Sequence, residues 1–410
     1  MMYKNTDAEY QKGHVAAGTA IGLLAKVYAT MGAGALPAGE KMIVKSGPSY
    51  SYNAGTKILT NPVSNTFEKT QVAGYESLNW KDCYEKAAYY AGIIMGRNPD
   101  VSYGTYRLLS FDELWKKSGF DESEHMFSVR TRSADEEYGN GVHQWYCGMQ
   151  DAGGVLQKGP WVGNRFHWYC LFDNEDYRIT KGVKHRFQYD SQVKNGRGYY
   201  YPGTPEYKLM ATGKNMDDVK VQEPVAPFND GLTYTNSISS NCLAFTTKYA
   251  DVTDPTIGRT DAYWPFLRYA DIVLIYAYGN AWFVDKVQYV NNANEEIDAL
   301  NDIRIRSNAK EASVTGDGAI ETKGELRSVI FEERAKELAY EGDRRWDLLR
   351  WGIYLDVMNS LGGINEDGTR TPYDEGSINK RREFRHLLYP LPSLEVSTNM
   401  AIDKNNPGWN

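Results

Sequence analysis

Apolar residues recur at three- and four-residue steps in two segments near the start of the chain. In residues 8–31 and again in residues 79–95 they form one stripe, and glycine and alanine keep that face thin. The pattern predicts two helices that can pack closely together. Small faces that also carry tyrosine are typical of tetratricopeptide-type helices, although a Gly/Pro/Ser-rich loop at 32–78 interrupts a 34-residue period.

The helical pattern is lost between residues 100 and 260 and returns after that block. Within the block, Gly, Pro, Asn and Asp separate short aromatic runs, which predicts loops with short strands. Loops of this extent usually carry a binding function. Apolar stripes reappear in four predicted helices, at 266–286, 294–308, 323–341 and 343–358, with Gly342 between the last two.

These patterns predict a mainly α fold, in which a tetratricopeptide-like helical scaffold carries a loop-rich insert containing short strands. We expect helices with an inserted loop in residues 1–99 and a ligand-binding insert in residues 100–260. Residues 261–410 would supply further helices and an extended, proline-containing tail. The three parts are expected to pack as one globular unit.

Charge and hydropathy exclude several classes of function. The net charge of −7 argues against nucleic acid as a partner, because phosphate neutralisation needs clustered Lys and Arg. No run of about 18 uncharged apolar residues is present, as a membrane-spanning helix would require. The opening MMYKNTDAEYQKG does not have the pattern of a secretion signal.

Two similar stretches, VHQWYC at 142–147 and RFHWYC at 165–170, each combine a histidine with a cysteine. A tetrahedral zinc site is conceivable from four side chains, His143, Cys147, His167 and Cys170. Their spacing permits zinc without indicating it. For an exported protein a disulfide between the two cysteines is favoured over zinc, and simple burial of both thiols is favoured over either. Two short acidic runs depart from the EF-hand spacing, so we predict no cofactor.

Tyrosine and tryptophan are unusually frequent, with 31 Tyr and 10 Trp beside 13 Phe. Rings with a polar group suit a wet binding surface, and their faces stack on the C–H face of a sugar. The candidate ligand-binding residues are the rings of the loop-rich block, Trp145, Tyr146, Trp161, Trp168, Tyr169, Tyr199 and Tyr200. Trp145 and Trp161 are the strongest, because Gly/Asn-rich turns flank them. The alternative for any one ring is that it fills space beneath a loop.

Carboxylates and arginines alternate along the predicted helices at 323–341 and 343–358. Glu333 and Glu337 lie one turn apart, as do Asp343 and Asp347, but neighbouring arginines would keep such groups ionised. A general acid must hold its proton near neutral pH, so we assign these residues to architecture. No nucleophile elbow, metalloprotease motif, P-loop or dinucleotide fingerprint occurs in the sequence.

Four stretches of the C-terminal third carry a family resemblance: FLRYADIVLIYA (266–277), LNDIRIRSN (300–308), ERAKELAYEGDRRWDLLRWG (333–352) and LLYPLPSLEVSTNMAIDKNNPGW (387–409). Earlier in the chain, the helix ending AKVYATMG (25–32) and DYR (176–178) match more weakly. In this order the stretches resemble the SusD/RagB family of surface nutrient-binding lipoproteins. One departure is Tyr278, which stands where the family pattern has glutamate.

The resemblance implies capture of nutrient oligomers, most often glycans, and their delivery to a SusC-like TonB-dependent outer-membrane transporter. It also implies a lipid anchor on the extracellular face of the outer membrane. Family members carry a signal, a lipid-bearing cysteine and further helices before the segment that opens this chain, so we expect the sequence to be part of a longer lipoprotein. A peptide ligand is also compatible with the resemblance.

Two alternatives remain at this point. One is a glycoside hydrolase with its carboxylates in the insert, at Asp135, Glu136, Glu137 or residues 173–176. The other is a cytoplasmic helical-repeat adaptor that binds peptides.

Overall fold

The computed structural model describes residues 2–98, 100–120, 123–133, 137–151, 153–187, 197–201, 233–236, 243–284, 287–288, 294–364, 366–369 and 381–409. The described chain is mainly helical with short strands. Its helices are α1 (Ala17–Ala35), α2 (Trp80–Ile94), α3 (Phe111–Leu114), α4 (Val142–Cys147), α5 (Phe166–Tyr169), α6 (Tyr177–Thr180), α7 (Tyr269–Asn280), α8 (Glu295–Arg306), α9 (Lys323–Glu337), α10 (Asp343–Arg350), α11 (Tyr354–Ser360) and α12 (Ser393–Thr398).

The strands form small sheets rather than one layer. They are β1 (Lys41–Ser46), β2 (Tyr50–Asn53), β3 (Thr56–Leu59), β4 (Val63–Glu68), β5 (His125–Val129), β6 (Met149–Gln150), β7 (Leu156–Lys158), β8 (Arg186–Phe187), β9 (Arg197–Tyr200), β10 (Thr233–Asn236) and β11 (Trp264–Arg268). Antiparallel pairs join β1 to β4, β2 to β3, β5 to β11 and β6 to β7. β9 pairs antiparallel with β8 and parallel with β10.

Close packing of α1 against its neighbours depends on glycine. A Cβ on Gly32 would lie 3.1 Å from the Tyr84 ring of α2, and one on Gly22 would lie 3.1 Å from Ile272 of α7. α7 is buried almost throughout and lies at the centre of the main core, which also includes side chains from α8 to α11. The thin apolar face predicted for the first helix is therefore present.

Three differences from the predicted elements have identifiable causes. The first helix begins at Ala17 rather than near residue 8, because the preceding residues form turns that include Gly13 at a φ of +92°. The segment 343–358 is two helices, since Gly352 adopts a φ of +67° between them. The predicted loop at 32–78 contains the four strands β1 to β4.

Residues 266–268 open the helix predicted at 266–286, but in the structure they belong to strand β11. This strand pairs with β5 and leads directly into α7 at Tyr269. The consequence is that Arg268, at the junction, is fully buried beneath both elements.

Arg268 lies at the centre of a buried network of ion pairs. Its Nη1 is 2.7 Å from Glu124 Oε1 and 3.0 Å from Glu337 Oε1, and its Nε is 2.7 Å from Glu341 Oε2. Arg306 of α8 joins the same network, with Nη2 2.6 Å from Glu337 Oε1. A buried ion of this kind is stable only while its partners compensate its charge.

Arg178 extends the network into the insert. Its Nη1 is 2.5 Å from Glu333 Oε1 of α9, and its Nη2 is 2.7 Å from Asp176 Oδ2. Burial raises the pKa of Glu333, but Arg178 and Arg304 outweigh burial and lower that pKa to about 2. The pKa of Glu337 is likewise well below its ordinary value because of Arg306, Arg268 and Arg178.

Replacing Arg268 with methionine should lower the free energy of unfolding by about 3–5 kcal/mol, because buried carboxylates lose their compensating charge. Equilibrium urea unfolding measures this change. The matched control is Lys45→Met, which removes a surface pair at 3.4 Å from Glu332 and should change the free energy by less than about 1 kcal/mol. A loss at Arg268 no larger than that of the control would contradict the role given to the network.

The network should also make the fold sensitive to acid. Because the pKa of Glu333 is lowered to about 2 in the folded chain, its stabilising contribution is complete above its ordinary value of 4.5 and is lost as the pH falls towards 2. Thermal midpoints measured at pH 7, 5, 4 and 3 should therefore fall below pH 5. The Glu333→Gln variant should start less stable and show a shallower decline. Equal wild-type midpoints at pH 7 and pH 3 would refute this linkage.

Candidate ligand-binding surface

Trp145 lies on the short helix α4 with its side chain 46% exposed. Its indole lies against Gly141, where an added Cβ would be only 2.9 Å from the ring. The helix ends at Gly148, whose φ of +81° turns the chain into β6. Gly141 therefore leaves the space that this ring occupies, and Gly148 ends the helix shortly after Trp145.

The backbone connects Trp145 to a second exposed indole. The Trp145 carbonyl accepts hydrogen bonds from the backbone N–H groups of Trp161, at 2.8 Å, and Val162, at 2.9 Å. Trp161 is 67% exposed and Val162 is also exposed. These hydrogen bonds join the backbones of the two tryptophans, although 16 positions separate them along the chain.

A second loop closes around the same region. The Gln150 N–H donates to the Pro255 carbonyl at 3.0 Å, and a Cβ on Gly258 would lie 3.0 Å from the Gln144 amide oxygen. The loop is shaped by Asp254, whose Oδ1 accepts from the Thr256 N–H at 2.8 Å. This loop therefore brings polar groups suited to hydrogen bonding with hydroxyls to Gln144 and Gln150, close in sequence to Trp145. We call Trp145, Trp161, Val162 and Gln144 the indole surface.

Tyr146 and Trp168 lie beneath the surface, each half-buried. The Tyr146 ring is 5.1 Å from that of Tyr249, and Trp168 Nε1 donates to the Ala335 carbonyl of α9 at 2.9 Å. Tyr340 contacts both rings, and its hydroxyl donates to the Ala244 carbonyl at 2.6 Å. Tyr340 adopts a φ of +67°, a conformation unfavourable for a residue with a side chain. These rings connect the insert to the helices below it.

Tyr169 does not belong to a ligand surface, which corrects our expectation for that residue. Its ring is fully buried and packs 5.2 Å from Tyr201. Three of the four α5 residues are buried, and Tyr169 belongs to a small core of the insert that includes Phe172 and Ile179. Tyr199 and Tyr200 belong to β9, but their side chains lie outside the described residues.

The histidines and cysteines of the two similar stretches do not converge. His143 Nδ1 hydrogen-bonds the Tyr249 carbonyl at 2.7 Å, and Cys147 donates to the Thr246 carbonyl at 3.2 Å. Cys170 lies near Asn61 Oδ1, at 3.5 Å, and forms no disulfide with Cys147. Of the two thiols for which burial was favoured, Cys147 is buried and Cys170 is half-buried. No group of three His, Cys, Asp or Glu side chains within the described residues has the geometry of a metal site.

The carboxylates of α9 and α10 form ion pairs with arginine or lysine side chains, as expected. Glu333 and Glu337 serve the buried network, and Asp347 pairs with Arg334 at 3.1 Å. Asp343 differs from the expectation that all are held ionised, because burial outweighs Lys26 and raises its pKa. It pairs with Lys26 at 2.8 Å, and Lys26 also pairs with Asp271 at 2.8 Å. Asp135 and Glu136 lie outside the described residues.

A large cleft of about 1000 Å³ lies elsewhere, between β11, α10 and the tail. Exposed rings line it, among them Phe266, Trp346 and Phe384. The charged groups at its base already pair with one another, for example Asp343 with Lys26 and Glu341 with Arg268. The indole surface has polar groups less engaged in such pairs, so it remains the better candidate.

Sequence reasoning missed the contributions of Gly141, Val162 and the loop around Pro255. Gly141 and Trp145 are four positions apart, so in a helix the ring would lie over the glycine. This spacing could have revealed the contact once α4 was predicted as a helix. Nothing in the local sequence connects Pro255 to this region, since the contact depends on tertiary packing. Among the described helices, none has the length and apolar character needed to cross a membrane.

Comparison with known proteins supports the resemblance. The SusD family profile matches residues 151–409. Two curated relatives from Formosa agariphila, SusD-like proteins P2 and P38, are each 31% identical over 147 residues. The matches span 35% and 34% of this chain, and 25% of each relative.

Solved structures agree on the fold. A SusD homolog from Bacteroides thetaiotaomicron matches with a TM-score of 0.58 and 19% identity, over 100% of this chain and 67% of its own. A laminarin-binding SusD-like protein matches with a TM-score of 0.51 and 18% identity, over 99% of this chain and 66% of its own. With the profile covering more than half of its residues, the chain belongs to the SusD family.

Proposed function

We propose that the chain binds an oligosaccharide, without turning it over, at the indole surface. The observation that carries this proposal is a pair of exposed tryptophans, Trp145 and Trp161, whose backbones are joined by the hydrogen bond from the Trp161 N–H to the Trp145 carbonyl. Its fold relative that binds laminarin, a glucan, supports a glycan as the ligand.

The chemistry of the surface suits a sugar chain. Each indole offers an apolar face to the C–H face of a pyranose ring, and its N–H can donate to a hydroxyl. The Gln144 amide, one position before Trp145, and the loop around Pro255 can bond further hydroxyls. Because the backbones of the two tryptophans are joined before binding, little backbone entropy is lost when the ligand arrives.

Binding without turnover is favoured by the state of the carboxylates. Asp176 is buried and paired with Arg178, and Asp173 accepts a hydrogen bond from the Lys310 N–H at 3.1 Å. Glu333 is held ionised by Arg178 and Arg304, so it is not a general acid. None of these groups adjoins Trp145 or Trp161 through a described hydrogen bond.

The scaffold proposed to present this surface is tetratricopeptide-like. Successive packing of α1 on α2, α2 on α7 and α7 on α8 supports that architecture. We also propose the division into residues 1–99, 100–260 and 261–410. It is supported by a main core that draws mainly on the first and last parts, with Tyr106 and Met126 from the middle part, while two smaller clusters lie within the middle part and a third joins it to the last part.

The proposed setting is the extracellular face of an outer membrane, with a lipid anchor at the start of the full-length precursor. The proposed partner is a SusC-like TonB-dependent transporter, to which the captured oligomer passes. Family membership supports both proposals.

Trp145→Ala and Trp161→Ala should each weaken glycan binding by about 1–2 kcal/mol, roughly 5- to 30-fold, because each removes one stacking platform. Calorimetry against a panel of polysaccharides, with laminarin included, measures the affinity. Circular dichroism should show that both variants keep the fold, since both rings are exposed.

Trp346→Ala is the matched control, because this tryptophan is 55% exposed but lines the separate cleft. Its affinity should equal that of the wild type. Loss of binding in this variant alone would transfer the site to the cleft. New reducing ends after incubation with the bound glycan would instead indicate a hydrolase, and binding only to a peptide panel would refute the glycan.

A further inference from the structure

A small cavity lies inside the helical scaffold, far from the indole surface. Its volume is about 20 Å³, enough for one guest of the size of a water molecule or a halide ion. Ala33 of α1, Tyr84 of α2 and Tyr278 of α7 form part of the wall, and Arg350 and Trp351 complete it. Both tyrosine rings are buried.

Two hydroxyl groups at this cavity are left with hydrogens to donate. Tyr84 Oη and Tyr278 Oη make no hydrogen bond of good geometry among the described residues, although each lies close enough to the other phenol or to a tryptophan N–H to interact, and their ring centroids are 5.8 Å apart. Even a hydrogen bond between the two phenols would leave one O–H without an acceptor. A buried donor without an acceptor costs about 1–3 kcal/mol, so a guest that accepts hydrogen bonds would be stabilised here.

Two guanidinium groups lie near the hydroxyls, Arg350 paired with Asp347 and Arg327 paired with Glu40 at 3.5 Å. Arg350 lines the cavity, and Arg327 lies 3.8 Å over the ring of Trp282, which stacks on Tyr84. Burial raises the pKa of both phenols, and Arg350 and Arg327 act in the opposite direction on each. The nearby carboxylate of Asp347 is already shared between Arg334 and Arg350.

An anion fits this site better than water does. A water molecule would accept from the phenols but would bring two hydrogens of its own, which need acceptors. The rest of the wall is mainly apolar, with Ala33, Ile275 and Phe331. A monatomic anion accepts hydrogen bonds only and interacts favourably with the arginines.

We infer that this cavity binds a single chloride ion, held by the hydroxyls of Tyr84 and Tyr278 and by the positive field of Arg350 and Arg327. The ion joins α2 to α7 and to the end of α10. It stabilises the scaffold and does not depend on the glycan function.

The first test uses bromide as a probe in crystals of the full chain. Crystals grown in sodium bromide should give an anomalous difference peak between the Tyr84 and Tyr278 hydroxyls. A peak in the ordinary electron density without an anomalous signal would mean that the guest is water, and it would overturn the proposal.

The second test measures thermal unfolding in sodium chloride against sodium methanesulfonate at equal ionic strength. Chloride should raise the midpoint by a few degrees, and the increase should saturate with concentration, because only the folded chain has the site. Equal midpoints in the two salts would also overturn the proposal.

Two variants make the assignment specific. Tyr278→Glu places a carboxylate beside Arg350, so its midpoint should no longer respond to chloride. Tyr84→Phe removes one donor with little change in shape and should reduce both the chloride response and the bromide peak, which keeps the test decisive even if the glutamate variant does not fold. Tyr89→Phe is the control, because Tyr89 is on the same helix but 53% exposed, and it should keep the full response. An unchanged response in Tyr84→Phe would contradict the site.

Discussion

The fold depends on one constraint, the mutual neutralisation of buried arginines and glutamates between the helices and the insert. Glu337 contacts Arg178, Arg268 and Arg306, which come from three separate parts of the chain. Because each charge would be very unfavourable alone in the core, the elements are stable only when assembled together. Arg178 thereby fixes the irregular insert, which also carries the indole surface, to α9.

Much of the helical scaffold was predictable, because its signals are local. The apolar stripe at 79–95 and the left-handed glycine at 342 are properties of short stretches, and α2 and the break before α10 formed as expected. The strand β11 was not predictable in this way. Its residues 266–268 continue an apolar stripe, and their extended form depends on pairing with β5, more than 100 positions earlier. The hairpins of β1 to β4 were missed because turn-rich composition conceals short strands.

The candidate site was predictable only in part. Exposure of Trp145 and Trp161 followed from the glycines and asparagines around them, whereas Tyr169 has a similar local sequence and is buried. What separates these rings is the tertiary environment, since Tyr169 packs against Tyr201 from a later segment. Likewise, nothing in the sequence spacing indicates that the Trp145 carbonyl accepts hydrogen bonds from the N–H groups of Trp161 and Val162.

Tyr340 combines two opposed requirements at the point where α9 gives way to the next helix. Its backbone is in a region that glycine adopts easily, yet its ring and hydroxyl hold the insert through Trp168 and Ala244. Glycine would relax the main chain and lose the anchor, whereas most other residues would keep the unfavourable geometry without the anchor. Substitution of Tyr340 is therefore disfavoured for both reasons. A loop-rich block with a different ligand preference could replace the present one only if it kept a carbonyl within reach of the Tyr340 hydroxyl.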